Sequence, residues 1–188
     1  YVSHSPVLLP VILLAIITTL FVLPTVKLMP IFAAQVLSAG PKGLGVLLAA
    51  YGIGTFLSSI TLASLGNFRR KGLYLTVVAL LVGTVMVAFA HSPWFSLSVG
   101  VLTLMGFCYM GFRSMSITLI QINTSDLMRA RVISLFYVNH SLEFVGSIFI
   151  GLLAEFHGAP YATTIFGIAA IAVAIVLLIR FPQLSRLH

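Results

Sequence analysis

Four ionisable side chains sit inside apolar stretches of this chain: Lys27, Arg113, His140 and Glu143. A charge in hydrocarbon costs several kcal/mol, so such residues face a bundle interior or a watery cavity, where they contact polar solutes or pass protons. Asn139, His140, Glu143, Gly146, Ser147 and Gly151 recur at helical spacing and form one polar stripe. Gly106, Tyr109, Arg113 and Ser116 form a second. Cavity-lining candidates are therefore Asn139, Tyr109, Ser116 and Ser147, around Glu143, Arg113 and His140 as candidates for proton exchange or solute contact.

Composition names the elements that carry these stripes. The chain has 188 residues, 60% hydrophobic and 7% charged, whereas soluble domains carry about 25% charged residues. It is expected to be an all-α integral membrane protein. Crossing a bilayer core takes roughly 20 apolar residues per helix, and six stretches qualify: Val7 to Met29, Leu44 to Leu65, Leu73 to Ala90, Trp94 to Ile120, Val132 to Ala154 and Tyr161 to Ile179. Links rich in Gly, Pro, Asn and His separate them, among them Gly40-Pro41-Lys42-Gly43, His91-Ser92-Pro93 and His157-Gly158-Ala159-Pro160. Short links make consecutive helices antiparallel. Two triplets joined at His91-Ser92-Pro93 suggest inverted three-helix repeats within a single six-helix domain, residues 1–188.

The net charge of +7 is gathered at one end. Arg69, Arg70 and Lys71 follow span two, Arg129 and Arg131 follow span four, and Arg180 and Arg186 follow span six. Positive-inside logic makes that end cytoplasmic, with both termini on it. A basic face for nucleic acid would need a soluble surface that this chain lacks. Cys108 is the one cysteine, so neither a disulfide framework nor a thiolate metal cluster is expected, and the residue reads as packing. No cofactor or metal is implied. The chain lacks an initiator Met and a signal peptide, and is expected to be truncated upstream.

Depth separates the four ionisable residues. At 1.5 Å per residue from Val132, Glu143 lies roughly 16 Å deep, near the midplane. In hydrocarbon a carboxyl without a partner is favoured in its neutral form and can trade protons, whereas one beside an arginine stays ionised. Arg113 lies roughly 10 Å from the end of span four, within reach of His140 or Glu143 if spans four and five pack. Two readings of Glu143 stand: proton coupling or substrate contact, and a structural ion pair with Arg113. His140 is either a proton relay or a neutral hydrogen-bonded side chain. Lys27, near the far end of span one, reads as an interface anchor.

Pairs at small-xxx-small spacing mark close helix contacts: Gly54 and Ser58, Ala79 and Gly83, Ser147 and Gly151. Pro24 predicts a kink in span one. Between spans four and five, Asn123 is expected to cap a helix whose first turn holds Asp126, with Arg129 and Arg131 at the lipid headgroups, as a helix start or as a conformational latch.

The run Gln121 to Leu135, ending Arg129-Ala130-Arg131-Val132-Ile133-Ser134-Leu135, resembles a loop of the major facilitator superfamily, in the branch of the enterobactin exporter, macrolide-efflux proteins and transmembrane secretion effectors. Leu44 to Gly54 resembles the opening of a second helix there, and Gly151-Leu-Leu-Ala-Glu155 with Gly158 the end of a fifth. Ser125 and Ala130 depart from the usual proline and glycine. The resemblance implies the second six-helix half of a twelve-helix secondary transporter, with an N-terminal half or a second copy as partner. It also implies proton-coupled efflux, as by an antiporter, of a small, partly apolar siderophore- or drug-like compound, in a bacterial inner membrane. First and fourth helices of such halves line the cavity, the second and fifth border it, and the third and sixth are peripheral.

Two other classes stay open beside transport: a non-transporting scaffold or receptor module, and an intramembrane enzyme. For the latter no catalytic residues emerge. His140-Ser-Leu-Glu143 is not the His-Glu-x-x-His of a zinc protease, Asp126 is the one aspartate, and no Gly-x-Ser-x-Gly elbow occurs.

Overall fold

The computed structural model describes residues 7–65, 71–138 and 141–181. Its elements are α1 (Leu8–Lys27), α2 (Met29–Ile31), a π-helical segment (Phe32–Val36), α3 (Gly40–Leu65), α4 (Lys71–Ala90), α5 (Phe95–Ile122), α6 (Asp126–Val138), α7 (Leu142–His157) and α8 (Ala159–Arg180). No strand occurs among the described residues. Six spans are long and apolar enough to cross a membrane, the first being Leu8–Val36 and the fifth Asp126–His157.

Span one is longer than its sequence pattern suggested. Pro30 has no N–H to donate, and the regular ladder breaks just before it: the N–H of Leu28 turns to the Thr25 carbonyl at 3.1 Å. Proline is tolerated in a first helical turn, so the chain resumes as α2, the N–H groups of Ile31 and Phe32 both donating to Leu28 O at 3.0 Å. A wider turn follows, in which Leu37 N–H donates to Phe32 O at 2.8 Å. Elsewhere too the helices consume the links. Gly40-Pro41-Lys42-Gly43 is the first turn of α3, most of 123–131 belongs to α6, and only Gly158, at φ 89°, separates α7 from α8.

Packing carries the inverted repeat. Span one packs on span five as span four packs on span two, and span one packs on span six as span four packs on span three. Spans three and six pack on each other, as do one and four, so an exchange of triplets maps these pairs onto themselves or each other. Glycines set the closest crossings. A methyl at Gly54 would overlap the Thr103 carbonyl oxygen, and one at Gly106 the Tyr51 carbonyl. Between spans three and six the contact is reciprocal: a Cβ on Gly83 would stand 2.9 Å from Gly167 O, and one on Gly167 3.0 Å from Gly83 O. Such approaches exchange lipid contacts for backbone dispersion.

The expected Ser147/Gly151 contact is not formed. A Cβ on Gly151 would meet nothing within 4 Å, whereas one on Gly146 would overlap Leu20 O and press on Pro24 Cγ at 2.7 Å. The face of α7 that meets α1 is thus turned by one residue from the small-residue spacing. Spans two and five are the least covered, burying 22% and 12% of their most apolar windows against 61% for span one. They carry large exposed apolar side chains, including Phe56, Ile60, Phe144 and Ile148.

Candidate functional site

Glu143 stands in the first turn of α7, and its carboxylate pairs with Lys27 of α1: Nζ to Oε1 is 2.8 Å. The side chains are 43% and 18% exposed, so the pair opens to one side of the bundle. The ammonium also sits 4.7 Å from the Phe144 ring centre, a favourable cation–π placement. The contact exists because Gly146 lets α7 close on Leu20 and Pro24 of α1, bringing the end of α1 beside Glu143.

Two expectations are corrected here. Glu143 pairs with Lys27, not with Arg113. Nor does Lys27 stand at the end of span one: the span continues to Val36, so Lys27 lies roughly 13 Å short of that end, and its ammonium is held by Glu143. From the span midpoints, the pair lies a few Å beyond the midplane, on the side away from the described termini, and Arg113 lies roughly 7 Å toward the termini.

Arg113 projects from α5 into its own surroundings. Its Nη1 donates to the Tyr109 hydroxyl at 3.4 Å, and its guanidinium carbon lies 5.9 Å from the Tyr137 ring centre. Beside it a small cleft is lined by Thr18, Thr19, Tyr109, Phe112, Phe136 and Tyr137, among others, from α1, α5 and α6. Thr18 and Thr19 are 6% and 8% exposed, and Thr18 Oγ1 donates to Ala15 O at 3.0 Å. Across α3, the Tyr51 ring lies 6.4 Å from that of Tyr109. Its hydroxyl is buried without a hydrogen-bond partner among the described residues.

The remaining candidates divide. Ser116 is fully buried, its hydroxyl without a partner among the described residues. Ser147 Oγ donates to the Glu143 carbonyl at 2.7 Å, inside its own helix. Asn139 and His140 lie outside the described residues, as do Arg69, Arg70 and Arg186. In the link, Arg129 pairs with Asp126 at 2.7 Å, both largely exposed, and Arg131 is exposed. Asn123 does not cap α6. Its Nδ2 donates back to Leu119 O at 2.9 Å and closes α5, while Ser125 O accepts the first bonds of α6 from Met128 at 3.0 Å and Arg129 at 2.9 Å. A side-chain amide donates to a carbonyl as readily as its oxygen accepts, and here the helix C-terminus captured it.

The sequence reading missed the weight of Lys27 and the presence of Tyr51. The signal for Lys27 was available: the apolar run continues past Pro30 through Ile31-Phe32-Ala33-Ala34. Tyr51 carried none, since a tyrosine in an apolar span also reads as packing. Cys108 is buried in the core, as its packing reading implies.

The arrangement gathers two cations, one carboxylate and several hydroxyls where spans one, two, four and five meet, a setting for holding or passing a polar group across a bilayer. The chain matches the family described as transmembrane secretion effectors over residues 1–187. No curated protein and no solved structure matches it. With six membrane-spanning helices packed as an inverted repeat and a family match over nearly its whole length, the chain is an integral membrane protein that belongs to the transmembrane secretion effectors, a transporter family of the major facilitator superfamily.

Proposed function

We propose that the protein works by alternating access as one half of a secondary transporter that exports a small, partly apolar compound, driven by proton exchange at Glu143. The observation that carries this reading is the Lys27–Glu143 pair at 2.8 Å. It ties span one to span five on the open side of the bundle. With Glu143 ionised the tie is closed; a proton on Glu143 removes the attraction and frees Lys27 and the α1–α7 contact to rearrange. The family's character as secretion effectors supports the outward direction. The exposed apolar faces of spans two and five support a partner half, either an N-terminal six-helix half or a second copy. The basic residues at the end bearing the described termini support a cytoplasmic placement of both termini in a bacterial inner membrane.

The test is substrate efflux from proteoliposomes holding the full-length protein under an imposed pH gradient. Glu143→Gln is expected to abolish the response to the gradient while leaving downhill exchange measurable. A response as large as that of the unmodified protein removes Glu143 from coupling.

A further inference from the structure

The chain holds only three acidic residues, and their positions leave Arg113 without a carboxylate. Asp126 pairs with Arg129 at 2.7 Å, Glu143 pairs with Lys27 at 2.8 Å, and Glu155 is exposed in the last turn of α7. Away from the span ends, Lys27 and Arg113 are the cations and Glu143 the one carboxylate among the described residues. An uncompensated cation at that depth is costly, and such charges are held by counter-charges, by water or by a ligand.

The surroundings of Arg113 fit a ligand's counter-charge. A guanidinium has five N–H donors. Among the described residues one is engaged, at 3.4 Å to Tyr109, a long bond. The Tyr109 hydroxyl accepts there, so its own proton remains available to donate. The buried Tyr51 hydroxyl, without a partner, belongs to the neighbouring ring. A guanidinium with a phenol donor beside it binds carboxylates and related oxyanions with charge-assisted bonds. The cleft at this point has free space of about 20 Å³, room for roughly one water molecule. It accepts an oxygen of a headgroup, not a whole molecule. Phe112 and Phe136 wall the same cleft but are buried, so the half-exposed Tyr137 is the aromatic surface open to the body of a ligand.

We infer that Arg113, with the Tyr109 hydroxyl, binds the anionic group of an amphiphilic, aromatic organic acid, whose apolar body lies along Tyr137. Identifying this ligand as the cargo rests on the transport reading above; the binding itself does not.

The experiment uses the full-length protein in nanodiscs of uncharged lipid, with empty nanodiscs as blank. Equilibrium binding of 2-naphthoate is compared with that of 2-naphthamide, the same body without the charge. Naphthoate is expected to bind at least about tenfold tighter. Arg113→Gln should erase the difference and Arg113→Lys retain part of it. Equal binding of the two probes to the unmodified protein overturns the inference, whatever the variants do, as does an undiminished preference in Arg113→Gln. Export of an uncharged naphthalene derivative, without anion preference, sinks the anion site and leaves transport standing. Anion-selective binding that depends on Arg113 but yields no flux of naphthoate in proteoliposomes supports the site and sinks the transport reading.

Discussion

Breaking the Lys27–Glu143 pair one side at a time should show that each partner matters mainly because of the other. At 2.8 Å the Coulomb attraction is roughly 6 kcal/mol for an effective dielectric constant of 20 and roughly 1.5 kcal/mol in bulk water. Lys27 is 43% exposed, which pulls the pair toward the wetter limit. Desolvation and ordering then take back a further share. A coupling energy of about 1–3 kcal/mol remains. Lys27→Met strands a carboxylate that is only 18% exposed and should cost about 2 kcal/mol. Glu143→Gln leaves an ammonium that can turn to water or to the Phe144 face 4.7 Å away, and should cost about 1 kcal/mol. The double variant should then be no less stable than Lys27→Met alone. The assay is unfolding of the full-length protein in a fixed detergent-to-lipid ratio, with all four species compared in a double-mutant cycle. Additivity of the two single changes to within about 0.5 kcal/mol would refute the reasoning, because it means the contact contributes nothing beyond its two parts.

Three further outcomes follow from the packing and the polar seam. Gly146→Ala, which would press a methyl into Leu20 O, should cost about 2 kcal/mol or more, whereas Gly151→Ala, facing open space, should stay within about 0.5 kcal/mol; equal costs in thermal unfolding would contradict the assigned face of α7. Tyr51→Phe removes a buried hydroxyl without a partner and should leave stability unchanged or raise it by up to about 1 kcal/mol, so a clear loss means that the hydroxyl is satisfied. Asp126→Asn breaks an exposed pair whose carboxylate is 88% exposed, and a stability change above about 0.5 kcal/mol would give that link more than a local role.

The existence and order of the six spans were legible because a bilayer imposes a length and polarity rule on every helix, and 60% hydrophobic content leaves little room for another solution. Their ends were less legible. Gly40 and Pro41 are turn residues in water-exposed chains, yet here they open α3, since a helix start leaves its first N–H groups free in any case. Span one was likewise ended too early, at Met29 rather than Val36, and the misplaced end demoted Lys27. The identities of the charged residues were readable, but their pairing was not. Pairing depends on how far each helix is rotated about its axis, and that was set by one glycine, Gly146, rather than by the Ser147/Gly151 spacing beside it.

The inverted repeat explains why one cation has a carboxylate and the other does not. Gly54 of span two crosses Thr103 and Phe107 of span four; Gly146 of span five crosses Leu20 and Pro24 of span one. These are corresponding crossings, each meeting residues four apart on the partner helix. Three residues before each glycine stands the side chain that faces the partner's polar stretch: Tyr51 before Gly54, and Glu143 before Gly146. Glu143 meets Lys27. Tyr51 meets Tyr109, the residue to which Arg113 donates from one turn further along. The same framework thus delivers a carboxylate to Lys27 on one side and, on the other, a neutral phenol to the tyrosine that holds Arg113. Tyr51 stands where its repeat counterpart carries Glu143, and this sequence difference leaves the Arg113 side of the seam with a phenol where the Lys27 side has a carboxylate.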